Sequence, residues 1–327
     1  MRKIILLVAL LITGTYCFAQ PDTLGTDLEN YSYPYPVKFI SLHAQDQDMR
    51  MAYMDIKPDS GANGRTIMLF HGKNFGGYYW KDVIKYLSTL GYRVVVPDQI
   101  GFGKSSKAIM HYSFHQLARF NKQLLDSLGV KKISLMGHSM GGMLATRFTL
   151  MYPDAVDKLF LEDPIGLEDY RTFVPYRSAE EDYQTELKTT FESVQKYYQG
   201  SYFTQWKPEY DWLVKLGANV NKSADFPRYA KAASLTYEMI YEQPVCYEFN
   251  LIKVPTVLFI GEDDNTIVGK ALLTPAQQAA HGRYKALGAE TARKIPNCKL
   301  IQFVNCKHIP HIEAQDQFFT ALMENLR

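Results

Sequence analysis

A serine, an acidic pair and a histidine each follow a strand-like segment of this 327-residue sequence. Ser139 lies in the stretch GHSMGG, Asp263 and Asp264 lie in GEDDN, and His308 lies in KHIPHIE. A serine hydroxyl becomes a nucleophile when a histidine takes its proton, and a carboxylate then orients the histidine and stabilises its charged form. The three residue types therefore predict nucleophilic catalysis at Ser139.

The residues around Ser139 form the pattern Gly-x-Ser-x-Gly, with Gly137 and Gly141 on either side. The strand-like run KKISLM precedes this pattern and the helix-like run MLATRFTL follows it. A serine at such a turn adopts a strained backbone conformation, and the glycines leave room for it. We expect the hydroxyl to project from the turn and the N–H of Met140 to point toward the reacting oxygen. A second N–H from the loop after His71 would complete an oxyanion hole, where one donor is typically worth about 3 kcal/mol of barrier.

The elements that must position these residues alternate between strands and helices. The runs VKFISLHA and MRMAYMDI, joined by QDQD, predict an antiparallel hairpin. The later strand-like runs are TIMLF, YRVVVPD, KISLM, KLFLED, TVLFIG and KLIQFV. Short apolar strands separated by helices predict an α/β fold with a mostly parallel central sheet and flanking helices. Because ligands bind at the carboxyl ends of such strands, the sheet would bring the serine, acid and histidine to one edge.

One segment, residues 167–250, breaks the alternation. It is polar, helical in pattern and rich in Tyr and Trp. We interpret it as a helical cap inserted between sheet strands, with the core formed by residues 20–166 and 251–327. The aromatic residues suggest an apolar or aromatic substrate.

Three residues are candidate substrate contacts. They are Asn74, after the first strand of the alternating series, and Trp206 and Tyr237 of the cap. Most cap aromatics are expected to serve as packing residues.

The N-terminal stretch MRKIILLVALLITGTYCFAQ has a basic start, an apolar centre and a small residue before Gln20. This layout predicts a signal peptide over residues 1–19, cleaved after Ala19, and a secreted or periplasmic protein without stable membrane insertion. The apolar run is short for a membrane anchor. Bulky Tyr16 argues against lipid attachment at Cys17. The net charge is +2 with no basic cluster, which excludes a nucleic-acid surface.

The sequence contains few cysteines and no recognisable cofactor-binding motif. Removing the signal peptide leaves Cys246, Cys298 and Cys306. A Cys298–Cys306 bridge is conceivable in an oxidising compartment, but buried free thiols are the favoured interpretation. No spacing supports a metal site, GFGKSS lacks the spacing of a phosphate loop, and no cofactor is predicted.

The motifs HGKNFGG, DQIGFGKSS, GHSMGG, GEDDNTIVG and KHIPHIE together resemble the α/β-hydrolase fold family. The similarity is to capped bacterial members related to esterases, cofactor-free haloperoxidases and carbon–carbon bond hydrolases. It extends from about Tyr35 to the C-terminus. The resemblance implies that Ser139 is the nucleophile, Asp264 the acid and His308 the base. It also implies that Lys73 and Met140 supply the backbone donors of the oxyanion hole.

Two departures from the family pattern keep alternatives open. Lys307 stands where the family usually has a glycine before the histidine, which leaves His311 as a second candidate base. Gly269 stands where a proline is common. Asp163, after KLFLE, is a weaker candidate acid. His138 is interpreted as a packing residue.

The sequence thus predicts an exported serine hydrolase that cleaves an ester or related acyl bond of a small substrate. Three alternatives remain. One is carbon–carbon bond hydrolysis, another is a cofactor-free haloperoxidase or lyase activity on the same triad, and the third is a non-catalytic ligand-binding protein. The sequence does not indicate an oligomeric state.

Overall fold

The computed structural model describes residues 24–59 and 61–326, so the predicted signal peptide over residues 1–19 lies outside the described residues. Eight strands form one sheet. In chain order they are β1 (Val37–Ala44), β2 (Gln47–Ile56), β3 (Thr66–Phe70), β4 (Arg93–Pro97), β5 (Ile133–His138), β6 (Val156–Glu162), β7 (Thr256–Gly261) and β8 (Cys298–Phe303).

The strands follow the order β1-β2-β4-β3-β5-β6-β7-β8 across the sheet. The hairpin β1–β2 is antiparallel, as is the pairing of β2 with β4, and every other neighbouring pair is parallel. The mostly parallel sheet predicted from the sequence is therefore confirmed. Because β3 and β5 to β8 run in the same direction, the residues after each of them meet at one edge.

Helices flank this sheet, and four of them are inserted between β6 and β7. The helices before the insertion are α1 (Lys81–Thr89), α2 (Phe114–Ser127) and α3 (Met140–Met151). The inserted helices are α4 (Ala179–Glu186), α5 (Phe191–Ser201), α6 (Asp211–Val220) and α7 (Phe226–Glu242). The remaining helices are α8 (Pro275–Ala280), α9 (Tyr284–Lys294), α10 (Pro310–Glu313) and α11 (Gln315–Asn325). We call the four inserted helices, together with the segments that join them, the cap.

The two faces of the sheet bury separate cores. Along β3, Ile67 and Leu69 enter one core while Met68 and Phe70 enter the other, as the two-residue period of a strand requires. Helices α2 and α3 cover the second face, and α1 and α11 cover the first. A strand buried on both faces must be apolar throughout, which explains why the strand-like runs stand out in the sequence.

The first described residues, 24–36, contact both the cap and the core. The N–H of Leu24 donates to the carbonyl of Asn219 in α6 over 3.2 Å. The carboxylate of Asp27 lies 3.3 Å from the ammonium of Lys107, whose side chain is fully buried. Burial lowers the pKa of Lys107 to about 8, although the charge of Asp27 opposes the shift. This segment therefore links a cap helix to a loop of the core.

The cysteines and the helix lengths bear on two further predictions from the sequence. Cys246, Cys298 and Cys306 all carry free thiols, so no bridge joins Cys298 to Cys306. Within residues 24–59 and 61–326, none of the helices is both long and apolar enough to span a bilayer.

Candidate active site

Ser139 occupies a strained turn between β5 and α3. Its backbone has φ 56° and ψ −121°, a conformation that costs a non-glycine residue about 1–3 kcal/mol. The flanking glycines make the turn sterically feasible. A Cβ on Gly137 would lie 2.2 Å from the carbonyl oxygen of Gly141, and one on Gly141 would lie 2.3 Å from that of Phe70. The tight packing around both glycines explains the Gly-x-Ser-x-Gly spacing.

The three predicted catalytic side chains meet at the carboxyl edge of the sheet. Nε2 of His308 lies 2.9 Å from Oγ of Ser139, and Nδ1 of His308 lies 2.7 Å from Oδ2 of Asp264. Oδ1 of Asp264 accepts the N–H of Thr266 over 2.8 Å. The carboxylate thus accepts a hydrogen bond from the Nδ1–H of His308 and leaves Nε2 free to accept the serine proton. All three side chains are buried, and Ser139 keeps 7% of its surface accessible.

The loop after β3 lies directly beside the serine. A Cβ on Gly72 would lie 3.2 Å from Cβ of Ser139, so a larger residue here would press on the serine. Nε2 of His71 accepts the N–H of Gln99 over 2.9 Å, so Nδ1 carries the proton and donates to the Gly72 carbonyl over 2.8 Å. Burial lowers the pKa of His71, which keeps the ring neutral.

The predicted oxyanion donors, Lys73 and Met140, lie on the two segments next to Ser139. Met140 opens α3, so its N–H has no acceptor in a preceding helical turn. Among the described residues, the Lys73 amide donates no backbone hydrogen bond. Both N–H groups therefore remain available for an oxyanion.

A second chain of hydrogen bonds passes behind the site through His138. The Gly72 N–H donates to the Tyr79 hydroxyl over 3.0 Å, and that hydroxyl donates to Nδ1 of His138, also over 3.0 Å. Nε2 of His138 donates to the His308 carbonyl over 2.7 Å. Burial and the neighbouring His308 and His311 lower the pKa of His138 well below 6.5. His138 therefore does more than pack: it joins the loop after β3 to the backbone of His308.

The second candidate base, His311, belongs to a different pair. Its Nδ1 donates to Glu162 over 2.9 Å, and its backbone N–H donates to the same carboxylate over 2.8 Å. The ring stacks on Trp80 with centroids 4.3 Å apart. Nε2 of His311 has no hydrogen-bond partner in the described part of the chain. The histidine that contacts Ser139 is thus His308.

The cap reaches the site through tyrosines near the end of α5. The Tyr202 ring stacks on the His308 ring with centroids 5.1 Å apart and planes 22° apart. The side-chain amide of Asn74 donates to the Tyr202 hydroxyl over 2.7 Å. Asn74, a predicted substrate contact, therefore links the loop after β3 to the cap. Sequence analysis did not single out Tyr202, because its importance depends on how the cap sits on the core.

Tyr197 lies next to Tyr202, with ring centroids 5.1 Å apart. It keeps 40% of its surface accessible. Desolvation nevertheless raises the pKa of its hydroxyl; a hydrogen bond with Tyr202 opposes the rise and the charge of Asp264 adds to it. Tyr197 therefore adds a second phenol beside the stacked rings of Tyr202 and His308.

The other two predicted substrate contacts lie in different surroundings. The Tyr237 hydroxyl lies beside Gly269, where a Cβ would come within 2.7 Å of it, in the loop that follows Asp264. Gly269 has φ 83°, which a proline at this position could not adopt. Trp206 packs on Phe203 in the cap, and its indole N–H donates to Asp211 over 3.0 Å, so its contacts stabilise the cap itself.

No set of residues resembles a metal site in the described ranges. Among residues 24–59 and 61–326, no group of three or more His, Cys, Asp or Glu side chains has a geometry that could hold a metal ion.

Comparison with known proteins places the chain in a family. Residues 65–315 match the family model described as alpha/beta hydrolase fold. A crystal structure of a probable hydrolytic enzyme from Pseudomonas aeruginosa PAO1 is 44% identical, covers 94% of this chain and 100% of its own, and has a TM-score of 0.92. A thermophilic esterase from Thermogutta terrifontis is 22% identical, covers 89% of this chain and 98% of its own, and has a TM-score of 0.63. At that identity the esterase supports the fold alone.

The curated relatives are named as hydrolases of 2-hydroxy-6-oxo acids. A 2-hydroxy-6-oxononadienedioate/2-hydroxy-6-oxononatrienedioate hydrolase from Paraburkholderia phymatum is 34% identical over 42% of this chain and 47% of its own. A 2-hydroxy-6-oxo-6-phenylhexa-2,4-dienoate hydrolase from Burkholderia cepacia is 31% identical over 40% of this chain and 46% of its own. These matches thus span less than half the length of either relative. The family match covers most of the chain, and together with the parallel sheet and the serine turn it shows that this protein belongs to the alpha/beta hydrolase fold family.

Proposed function

We propose that this hydrolase cleaves an acyl bond of a small substrate through a covalent intermediate on Ser139. The observation that carries the proposal is the continuous hydrogen-bond chain from Asp264 through His308 to the hydroxyl of Ser139. A strained serine with a base and an oriented carboxylate behind it is the arrangement that nucleophilic catalysis requires.

The reaction takes place in two steps. Oγ of Ser139 attacks the substrate carbonyl while Nε2 of His308 takes the serine proton, and Asp264 stabilises the imidazolium. The N–H groups of Lys73 and Met140 donate to the oxyanion, and the leaving group departs with the proton from His308. A water molecule then attacks the acyl-serine, gives its proton to His308, and releases the acid and free Ser139.

The first candidate for the broken bond is a carbon–carbon bond next to a ketone. The curated relatives named above support this candidate. The leaving group is then a carbanion, which departs once its charge is delocalised onto a conjugated oxygen and which takes its proton on carbon. The same serine and histidine serve this reaction, so the hydrogen-bond chain is compatible with it.

An ester is the second candidate, and the charges around the cap favour it. Lys73 lies 3.8 Å from Glu186, and Arg177 lies 3.3 Å from Asp182, so both cations already face carboxylates. The rings of Tyr197 and Tyr202 place aromatic surface next to His308. An uncharged acyl group with an apolar or aromatic substituent fits these surroundings better than a dicarboxylate does.

We also propose that the protein is exported, on the strength of the charge and length pattern of residues 1–19. N-terminal sequencing of the chain recovered from fractionated cells and medium tests this. We expect a mature chain that begins at Gln20 outside the cytoplasm. A cytoplasmic chain that retains Met1 would contradict export.

A fluorophosphonate probe tests the nucleophile without knowledge of the substrate. Phosphorus bonds to Oγ of Ser139, fluoride leaves, and His308 takes the serine proton. We expect labelling of the wild type and of Ser134→Ala, a control on the same strand, but not of Ser139→Ala. Equal labelling of wild type and Ser139→Ala would contradict the proposal.

A substrate panel then separates the candidate bonds. The panel compares p-nitrophenyl esters with vinylogous 1,5-diketones, each measured with wild type and Ser139→Ala. A larger kcat/KM for diketones supports carbon–carbon bond cleavage, and the reverse order supports an ester substrate. Tight binding of both compounds without turnover would instead support the non-catalytic alternative.

A further inference from the structure

A second aspartate, Asp163, lies behind the acid of the triad. It follows β6, is fully buried and has φ 35°, which is unusual for a residue other than glycine. Its N–H donates to the Phe259 carbonyl over 2.9 Å, and its two carboxyl oxygens lie 3.0 and 3.1 Å from the N–H of Gly261. The N–H of Asp264 donates to the carbonyl of the same Gly261 over 3.1 Å. Both aspartates are therefore fixed to one residue at the end of β7.

Because both aspartates are fixed to Gly261, their carboxyl groups are close enough to share a hydrogen bond. Such a bond needs one proton, because an ionised carboxylate can only accept. Asp264 already accepts from His308 over 2.7 Å and from Thr266 over 2.8 Å. Asp163 accepts only the shared N–H of Gly261 among the described residues. The distribution of donors therefore assigns the proton to Asp163.

The other groups around Asp163 agree with a neutral acid. Glu162 is its chain neighbour and is paired with His311. The Tyr284 hydroxyl and the Cys306 thiol are also close, and neither carries a positive charge. No lysine or arginine in the described ranges pairs with Asp163. Burial, followed by the charges of Asp264 and Glu162, raises the pKa of Asp163 well above its ordinary value.

We propose that Asp163 is a fourth, positioning member of the triad, a protonated acid that donates to Asp264 and holds its carboxylate toward His308. This inference rests on the proposed function of Ser139 and extends it by one residue. The donated proton disperses part of the negative charge on Asp264, so it also limits how strongly Asp264 stabilises the protonated imidazole of His308.

Asp163→Asn and Asp163→Ala distinguish a proton donor from a structural residue. The asparagine keeps both functions, since its carbonyl accepts the Gly261 N–H and its amide donates to Asp264. The alanine leaves Asp264 without this donor. The readout is the second-order rate of fluorophosphonate labelling as a function of pH, with thermal unfolding measured in parallel.

We expect Asp163→Ala to slow labelling about tenfold or more, because it removes a hydrogen bond to a charged group. The acid limb of its pH profile, where the labelling rate falls at low pH, should also move to higher pH. The reason is that the undispersed charge on Asp264 stabilises the protonated imidazole. Asp163→Asn should restore most of the rate and the wild-type acid limb. If both variants lower thermal stability and leave the pH profile unchanged, Asp163 is only structural and the proposal fails.

The asparagine variant decides the question alone if the alanine variant does not fold. An ionised Asp163 would contribute negative charge next to His308, so its replacement by Asn would move the acid limb to lower pH. That shift would overturn the proposal, and so would an unmoved limb with slowed labelling. An unmoved limb with labelling close to the wild-type rate would support the proposal. Absence of wild-type labelling would instead contradict the proposed function itself, which keeps the two failures distinguishable.

Discussion

Two buried histidine–carboxylate pairs lie side by side behind Ser139, and they differ in what the second ring nitrogen contacts. In the Asp264–His308 pair, that nitrogen faces the serine hydroxyl. In the Glu162–His311 pair, it has no partner among the described residues, and the ring stacks on an indole. The pairs have the same chemistry, so the catalytic role that we propose for the first pair depends on its contact with the strained serine.

The second pair has its own structural task. Because Glu162 accepts both the ring and the backbone N–H of His311, it fixes the start of α10 to the end of β6. His308 lies just before this helix. The Glu162–His311 pair therefore helps to hold the Asp264–His308 pair in place.

Matched amide substitutions should separate the two pairs most strongly. Asp264→Asn removes the charge that orients His308, and we expect fluorophosphonate labelling to slow about 10⁴-fold. Glu162→Gln should retain most of the wild-type rate, because its pair does not contact Ser139. Similar losses in both variants would show that the two pairs act as one catalytic unit.

Truncation of His311 should affect stability more than chemistry. His311→Ala leaves the buried Glu162 carboxylate without its partner, and we expect the free energy of unfolding to fall by about 3–5 kcal/mol. Urea denaturation measures this loss, with Ser134→Ala as the control for an ordinary half-buried change. A loss below about 1 kcal/mol would indicate that the pair contributes little to the fold.

The hydroxyl of Tyr79 lies between the loop after β3 and His138, so its removal tests the link behind the two pairs. Tyr79→Phe leaves the Gly72 N–H without its acceptor, which should cost about 1–3 kcal/mol of stability and slow labelling. Tyr92→Phe is a matched control, since the Tyr92 hydroxyl donates to the Leu326 carbonyl over 3.1 Å, far along the chain from the site. Equal slowing in both variants would contradict a specific role for Tyr79.

His138 lies between the two histidine–carboxylate pairs, and its neutral state should make the free energy of unfolding depend on pH. Burial holds its pKa well below 6.5 in the folded protein, so below pH 6.5 the unfolded chain takes up a proton that the folded chain does not. The stability from neutral His138 is therefore present above pH 6.5 and is lost as the pH falls below it, by at most about 1.4 kcal/mol per pH unit. Urea unfolding at several pH values measures the slope.

His138→Gln provides the comparison for this slope. It should reduce the slope without abolishing it, because burial also lowers the pKa of His71. An unchanged slope in the variant would show that His138 is not the group that titrates.

The sequence predicted the central strands well because each is a continuous apolar run between polar turns. TIMLF and TVLFIG coincide with β3 and β7, residue for residue. Helix α3 begins at Met140 rather than at the predicted Met143, because its first turn contains Gly141 and Gly142. Glycine has low helix propensity, yet Gly141 is needed for the approach to Phe70, so tertiary packing determined this helix start.

The candidate site was partly predictable for the same reason. Strand ends converge in a parallel sheet, so the sequence alone predicted that Ser139, Asp264 and His308 would lie close together. Tyr202 could not be identified, because its stacking on His308 depends on the orientation of the whole cap. The donor role of Asp163 was equally hidden, since it depends on the direction of two neighbouring carboxyl groups.

The segment that links α6 to the loop of Lys107 has a consequence for catalysis. Leu24 bonds to the cap and Asp27 pairs with the core, and only a few residues separate them. If substrate enters by movement of the cap, these bonds must break or the beginning of the chain must travel with it. The access rate would then depend on residues far in sequence from every catalytic group, and proteolytic trimming of this stretch would change that rate.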